Sequence, residues 1–174
     1  FEKSIELGPE YSSAITKLGE VYWSRGQKDK AVASFQKAVA LNPADRRAHQ
    51  RLGSYYDDTK NIEKAVFHYE KGIIGTAPEY LGIKVDLARL YNKQGKHKEV
   101  IALLGGLITE QSKNISGLIA LGTASLGTGD LDTAILLFEQ ANRLAPSKGA
   151  VPLGIAYRQA GQLDRSLKVL SEAV

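Results

Sequence analysis

The sequence of 174 residues contains no cysteine, which excludes disulfide bonds, thiolate catalysis and cysteine-based zinc sites from this chain. Methionine is also absent, and tryptophan occurs once, as Trp23. The apolar runs are far shorter than the roughly 20 residues that a membrane-spanning helix needs. No signal peptide is visible at the N-terminus. We therefore expect a soluble chain, for which cytoplasmic and periplasmic locations both stay open.

A strong excess of one charge is also lacking. The 23 basic residues exceed the 19 acidic ones by a net charge of +4. This excess is scattered, and residues 115–146 reverse it with one basic and three acidic residues. Proteins that bind single-stranded nucleic acid combine a basic groove with stacked aromatic side chains. Since neither is visible, no nucleic-acid partner is expected.

What the sequence does contain is an internal repeat. A Leu-Gly or Leu-Ala pair recurs at spacings of 34, 35, 34 and 32 residues. The five leucines are Leu18, Leu52, Leu87, Leu121 and Leu153. A repeat of this length indicates an array of small structural modules rather than a single globule.

Other positions recur at fixed distances after each leucine. Four residues on stand Tyr22, Tyr56, Tyr91, Ser125 and Tyr157. Eight residues on stand Gly26, Lys60, Gly95, Gly129 and Gly161. Thirteen residues on stand Ala31, Ala65, Val100, Ala134 and Ser166. Seventeen residues on stand Phe35, Tyr69, Leu104, Phe138 and Leu170, and twenty residues on stand Ala38, Gly72, Leu107, Ala141 and Ala173.

These spacings predict pairs of helices. A leucine and a tyrosine four residues apart lie on one helix face, and the following glycine permits a tight turn. In the second helix, small residues let a neighbouring helix approach, while the large side chain fills the groove between them. Pro43, Pro78 and Pro146 would end second helices. Asn61 and Asp130 stand where second helices should begin, and we expect them to act as N-caps.

The pattern resembles the tetratricopeptide repeat family over essentially the whole chain. The resemblance implies an all-α fold, a right-handed α-solenoid or superhelix of stacked antiparallel helix pairs. The predicted repeats are 12–45, 46–80, 81–114, 115–146 and 147–174, the last incomplete, and residues 1–11 are expected to end a preceding repeat.

Three departures from the repeat carry expectations of their own. The third repeat is the weakest, and its Gly105-Gly106 pair is expected to lie within a second helix. Pro152 is expected near the first position of a helix that begins late. Leu167 and Leu170 should be exposed on the last helix. We therefore expect either more chain beyond at least one end or self-association through open ends.

The resemblance also implies a concave groove lined by the first helix of each pair. The candidate partner-binding residues are Thr16, Glu20, Trp23, Arg47, Gln50, Arg51, Ser54, Val85, Asp86, Arg89, Ile119, Thr123 and Leu126. The groove is polar in its first half and apolar in its second, which suggests a peptide or helix with an acidic part and an aliphatic part. The alternative is that the arginines are solvated and that the aliphatic side chains, like Trp23, pack within the array.

Two known uses of such grooves do not fit. The carboxylate clamp of chaperone-tail readers wants lysine and asparagine at set positions, and no run of three repeats supplies them. The asparagine ladder of O-linked N-acetylglucosamine transferase wants asparagine at position six of each repeat. That position reads Lys17, Arg51, Asp86, Ala120 and Pro152.

Catalytic and metal-binding patterns are not visible either. His49, His68 and His97 occupy non-equivalent repeat positions, and no pair has the spacing of metal ligands. The sequence therefore predicts no enzyme activity, cofactor or metal, but a scaffold that binds another protein or peptide. The alternatives are a substrate-docking or regulatory arm of a larger enzyme or assembly, and a self-assembling structural subunit.

Overall fold

The computed structural model describes residues 8–73 and 80–172, and the regular secondary structure within those residues is helical. The ten α-helices are α1 (Gly8–Ser24), α2 (Lys28–Leu41), α3 (Arg46–Asp58), α4 (Ile62–Gly72), α5 (Leu81–Lys93), α6 (His97–Leu104), α7 (Ile115–Thr128), α8 (Leu131–Leu144), α9 (Pro146–Gln159) and α10 (Leu163–Ser171). The predicted all-α class is confirmed. The chain divides between Ile83 and Lys84 into two compact units.

The helices pack as consecutive pairs. In the first unit α1 packs on α2 and α3 packs on α4, and α2 also contacts α3. In the second unit α7 packs on α8 and α9 on α10, while α6 contacts α7 and α8 contacts α9. Within each unit, apolar surface is thus buried both inside a helix pair and between neighbouring pairs, as modules of this size require.

The turn inside each pair uses one backbone conformation. The residue eight positions after each repeat leucine has a positive φ, namely 73° at Gly26, 63° at Lys60, 72° at Gly95, 85° at Gly129 and 75° at Gly161. Four of these residues are glycine, which adopts this conformation without a steric cost. Lys60 is the only residue other than glycine with a positive φ in the part of the chain that the structure describes.

The glycine next to the repeat leucine makes room for a large side chain from the second helix. A Cβ atom placed on Gly19 would lie 2.6 Å from the Phe35 ring, and one on Gly53 would lie equally close to Tyr69. Phe35 and Tyr69 are both buried in consequence. The Leu-Gly signal in the sequence therefore marks a point of direct ring-on-backbone packing.

Both predicted N-caps are confirmed. The side chain of Asn61 accepts a hydrogen bond from the backbone N–H of Lys64 at 3.2 Å, and that of Asp130 from Thr133 at 3.1 Å. These bonds satisfy backbone donors that the first helical turn leaves open. Asp45 caps α3 and Asn114 caps α7 in the same way.

The expectation for Gly105-Gly106 was wrong. Helix α6 ends at Leu104, and the two glycines follow it in a turn. A pair of glycines disfavours helix continuation because each loses much backbone freedom on folding. Because the helix stops early, Leu107 does not take the small-residue position. Ile108 is buried instead and packs on Gly117 of α7.

The expectation for Pro152 was also wrong. Helix α9 begins at Pro146, which takes an early helical position, and Pro152 lies inside the helix. Pro146 has no N–H to leave unsatisfied there, so the helix can start six residues earlier than expected. Pro152 interrupts one intrahelical hydrogen bond, since it cannot donate to the carbonyl of Lys148.

At the start of the chain, residues 8–11 belong to α1 rather than to the end of a preceding helix. Residues 1–7, Pro78 and Ala173 lie outside the described residues. The repeat leucines are not all equivalent in burial. Leu18 is 47% exposed, whereas Leu52 is fully buried in the core cluster that contains Phe35 of α2.

Candidate partner-binding site

A cleft of about 430 Å³ lies between α5 and α7 in the second unit. Its walls follow the three- and four-residue spacing of one helix face. The lining residues are Val85, Asp86, Arg89, Asn92 and Lys93 from α5, and Ser116, Ile119, Ala120 and Thr123 from α7. Five of them, Val85, Asp86, Arg89, Ile119 and Thr123, are candidates that the repeat pattern placed in the groove.

The base of the cleft is apolar. Val85 and Ala120 are buried, and Ile119 is half-buried and packs against the core of the second unit. The hydroxyl of Thr123 donates to the carbonyl of Ile119 at 2.7 Å, so its proton is used within α7. A guest side chain at this place would therefore meet mainly aliphatic surface.

The rim of the cleft is charged on one side. Arg89 and Lys93 are exposed on α5, one helical turn apart, and Asp86 lies one turn before Arg89. Asp86 and Arg89 have interaction partners of their own. The α7 wall contributes the neutral Ser116 and Thr123. The rim thus offers an exposed ammonium group at one wall and hydroxyl groups at the other.

Asn92 spans the end of the cleft. Its Nδ2 donates to the backbone carbonyl of Ala120 at 2.7 Å, which joins α5 to α7. Its Oδ1 lies 3.1 Å from Nδ1 of His97, the first residue of α6. The repeat pattern alone did not mark Asn92 as a bridge between helices.

Leu126 is not among the residues that line this cleft. It packs, partly buried, against the core cluster around Phe138 and Leu153. The Leu126 side chain thus lies partly at the surface and partly in the interior of the second unit.

The predicted polar half of the groove lies in the first unit, where the Glu20 carboxylate pairs with both Arg47 and Arg51. Arg51 donates from Nε and Nη2 to one Glu20 carboxylate oxygen, at 3.2 and 2.9 Å. Nη1 of Arg47 lies 3.7 Å from the other oxygen. Much of the positive charge expected for an acidic ligand is therefore already paired within the chain. Gln50 and Ser54 lie half-exposed on the same helix.

Thr16 belongs to an internal network rather than to an open surface. It is 2% exposed, and its hydroxyl donates to Asp45 at 2.8 Å, beside a 2.6 Å bond from Ser12. Burial alone would raise the pKa of the Asp45 carboxyl. The hydrogen bonds from Ser12, Thr16 and two backbone N–H groups outweigh burial and lower that pKa.

Trp23 packs on the core of the first unit. Its ring lies 6.4 Å from that of Phe35 at an angle of 49°, and the ammonium group of Lys28 lies 5.6 Å above it. The side chain is half-buried in this position. This contact favours the packing interpretation of Trp23 over that of an exposed anchor.

Two histidines form a contact that the repeat pattern did not predict. His49 on α3 and His68 on α4 approach to 2.9 Å between their Nδ1 atoms, and the Tyr56 ring stacks on His68 at 5.4 Å. Residues sixteen apart face each other across a helix pair, as Gly53 and Tyr69 do. A spacing of nineteen could therefore have indicated this contact.

Burial lowers the pKa of His68 to about 4, and the neighbouring His49 and Lys64 act in the same direction. Burial also lowers the pKa of His49, although its bond to the Pro43 carbonyl and the charge of Asp45 oppose the shift. Within residues 8–73 and 80–172, no three histidine or acidic side chains converge as metal ligands would.

None of the helices described is both long and apolar enough to cross a membrane.

Known proteins were compared with this chain by sequence and by structure. No curated protein matches the sequence. The structure of YrrB, described as a TPR protein with an unusual peptide-binding site, is 18% identical with a TM-score of 0.78, over 99% of this chain and 90% of YrrB. A structure of MamA is 20% identical with a TM-score of 0.76, over 94% of this chain and 90% of that one.

At these identities the structural neighbours show the fold. The match to a sequence family is separate: the tetratricopeptide repeat model matches residues 16–80, which cover the first two helix pairs. The helix pairs of the second unit continue the same arrangement, with Gly122 and Phe138 packed as Gly53 and Tyr69 are. Residues 16–80 thus match the tetratricopeptide repeat family, and the chain as a whole shares the fold of YrrB and MamA.

Proposed function

We propose that the protein is a non-catalytic binding module that holds a peptide or helix of a partner protein in the α5–α7 cleft. Tetratricopeptide repeats are generally interaction modules rather than enzymes. The observation that carries the proposal is the cleft itself, whose aliphatic base and polar rim are built from the inward positions of two successive repeats. Binding clefts commonly combine an apolar lining with a few polar groups that orient the ligand.

The chemistry of the cleft suggests what the partner presents. An aliphatic side chain fits over Val85 and Ile119, where it would remove apolar surface from water. An acidic residue nearby would meet Lys93 on the rim. The arginines of the first unit are a weaker attraction for acid, since Glu20 already pairs with them.

A peptide library displayed on phage tests this proposal directly. Selection on the unaltered chain should enrich peptides that combine leucine, isoleucine or valine with aspartate or glutamate. Ile119→Lys should weaken the selected peptides by at least about tenfold, because it places an ammonium group on the apolar base. Ile155→Lys is the matched control, since Ile155 is an exposed aliphatic residue on α9 outside the cleft.

Equal loss of binding in both lysine variants would show that the peptides recognise exposed hydrophobic surface in general rather than the cleft. Reversing Arg47 and Arg51 to glutamate tests the other half of the predicted groove. If the selected peptides bind this double variant normally, the arginines take no part in recognition.

The same cleft would serve equally well if the chain is a docking or regulatory arm of a larger enzyme or assembly. Self-association is the second candidate function, and a specific observation favours it. Leu163 and Leu167 are exposed on α10, at 59% and 70%, and Val151 is exposed on α9. Analytical ultracentrifugation should then show assembly that Leu167→Glu abolishes, whereas a monomer at all concentrations would remove this candidate.

A further inference from the structure

We infer that Asn92, oriented by His97, is the positioning residue that fixes the spacing of the two walls of the α5–α7 cleft. This inference rests on the proposed function for its effect on binding, but its geometric part concerns the free protein. The three helices involved meet at one amide group. Asn92 comes from α5, His97 from α6, and the carbonyl of Ala120 from α7.

The polarity of this contact is determined by the Ala120 carbonyl. A carbonyl only accepts hydrogen bonds, so the Asn92 amide must turn its NH₂ group towards Ala120. Its oxygen then faces His97, whose Nδ1 must carry the proton that is donated to it. Each end of the amide is therefore matched to one partner, and a flipped amide would lose both bonds.

His97 can reach this position because Gly127 has no side chain. A Cβ atom at Gly127 would collide with the His97 ring. The imidazole thus packs directly against the backbone of α7 while it holds the amide from α6. Contacts from two directions restrict Asn92 to one rotamer, and a bond of 2.7 Å from that rotamer restrains the distance between α5 and α7.

The position of this bond gives it an effect on recognition. Asn92 and Ala120 both line the cleft, and Val85 and Ile119 stand on the opposite walls beside them. The two contacts use one N–H and one oxygen lone pair of the Asn92 amide and fix its orientation. Its contribution to binding is to keep the apolar base at the width that accepts an aliphatic side chain.

Three variants separate the parts of this arrangement. Asn92→Leu removes both bonds at similar size. Asn92→Asp keeps an acceptor for His97 but loses the donor to Ala120, and His97→Phe keeps a ring against Gly127 but loses the donor to Asn92. Gln94→Leu is the matched control, because it changes an exposed amide just beyond α5 to the same apolar residue.

Two measurements are needed. Methyl NOEs between Val85 and Ile119, recorded by NMR on the free protein, report the spacing of the walls. The affinity of the acidic-aliphatic peptides selected on the unaltered chain reports recognition. Asn92→Leu and Asn92→Asp should change the NOEs and weaken the peptides by about three- to tenfold, in line with the loss of one or two hydrogen bonds. His97→Phe should act in the same direction, and Gln94→Leu should change neither.

Unchanged NOEs and affinity in folded Asn92→Leu would overturn the inference. Lower stability with unchanged affinity would also overturn it, since that is the signature of a purely structural bond. If Asn92→Leu does not fold, the two single-bond variants decide. If no peptide is selected, the proposed function fails, whereas the NOEs of the free protein still decide whether Asn92 sets the width.

Discussion

The Nδ1 atoms of His49 and His68 share one hydrogen bond of 2.9 Å, and the carbonyl of Pro43 decides which imidazole donates it. That carbonyl lies 3.1 Å from Nε2 of His49, so His49 carries its proton on Nε2 and accepts on Nδ1. His68 must then donate from Nδ1. Two imidazolium rings would place two protons in the same gap, so the pair excludes the doubly protonated state.

This pair predicts that acid destabilises the first unit. Both histidines have lowered pKa values in the folded state, so the unfolded chain binds more protons below about pH 6.5. Stability is therefore highest above pH 6.5 and falls as the pH drops towards about 4, the pKa of His68. We expect a loss of about 1–2 kcal/mol, which allows for partial exposure, measured by urea unfolding from pH 7.5 to 4.5.

The contribution of the pair can be isolated with a glutamine variant. His68→Gln should reduce the pH dependence over this window, because one of the two titrating histidines with a lowered pKa is gone. Gln36→Ala, at an exposed site on α2, is the control and should leave the slope unchanged, since it keeps both histidines. A slope of equal size in both variants would place the acid sensitivity elsewhere in the chain.

Lys60 is expected to lower stability at its turn. Its φ of 63° lies in the same left-handed region as the φ of the glycines at the equivalent positions. Left-handed backbone costs an L-residue about 1–2 kcal/mol of stability, and glycine avoids this cost. Glycine also loses more conformational entropy on folding, which costs roughly 0.5–1 kcal/mol. Lys60→Gly should therefore raise the free energy of unfolding by about 0.5–1 kcal/mol. Lys37→Gly, at an exposed site within α2, should instead lower it by about 1 kcal/mol.

Because Tyr69 packs on Gly53, we expect even a methyl side chain at position 53 to lower the stability of the fold. A Cβ atom at Gly53 would lie 2.6 Å from the ring, which has no room to retreat because Tyr69 is buried. Overpacking costs about 1–3 kcal/mol and exceeds the helix propensity gained by alanine. Gly53→Ala should lower the free energy of unfolding by about 1–2 kcal/mol in urea titrations. Gly106→Ala, which meets no atom within 4 Å, should stay within about 0.5 kcal/mol of the unaltered chain.

Asp45 joins two helices of the first unit, because it accepts from Ser12 and Thr16 of α1 and from the backbone of Ala48 at the start of α3. Asp45→Ala should lower the free energy of unfolding by about 2–3 kcal/mol, the sum of a helix cap and two side-chain bonds. Asp130→Ala removes a cap with one bond and should cost about 1 kcal/mol.

The effect of Asp45 on the pH dependence of stability in acid has a definite sign. The pKa of Asp45 is lowered on folding, so its contribution is present above about pH 3.9 and is lost as the pH falls further. Thermal unfolding of Asp45→Ala between pH 5 and 3 should therefore depend less on pH than that of the unaltered chain. A parallel decline in both proteins would contradict the role assigned to these hydrogen bonds.

Much of the fold could be predicted because the repeat places the same demand on each module. The leucine, glycine and ring positions recur since each helix pair must pack a large side chain on a bare stretch of backbone. Asn61 and Asp130 were recognisable as caps because capping depends on neighbours within three residues. The expectations for Gly105-Gly106 and Pro152 failed where one repeat departs from the others, and local conformation there followed the glycines and prolines themselves.

The sequence by itself determined the all-helical architecture, the turn glycines and which residues of α5 and α7 face the same way. These features follow from periodicity along the chain, which can be read without coordinates. Only the tertiary structure decided that Glu20 pairs with Arg51, that His49 meets His68, and that Asn92 bridges to Ala120. Each of these contacts joins residues 19 to 31 positions apart. Such contacts depend on the packing angle of two helices and on one chosen rotamer, and neither quantity is periodic in the sequence.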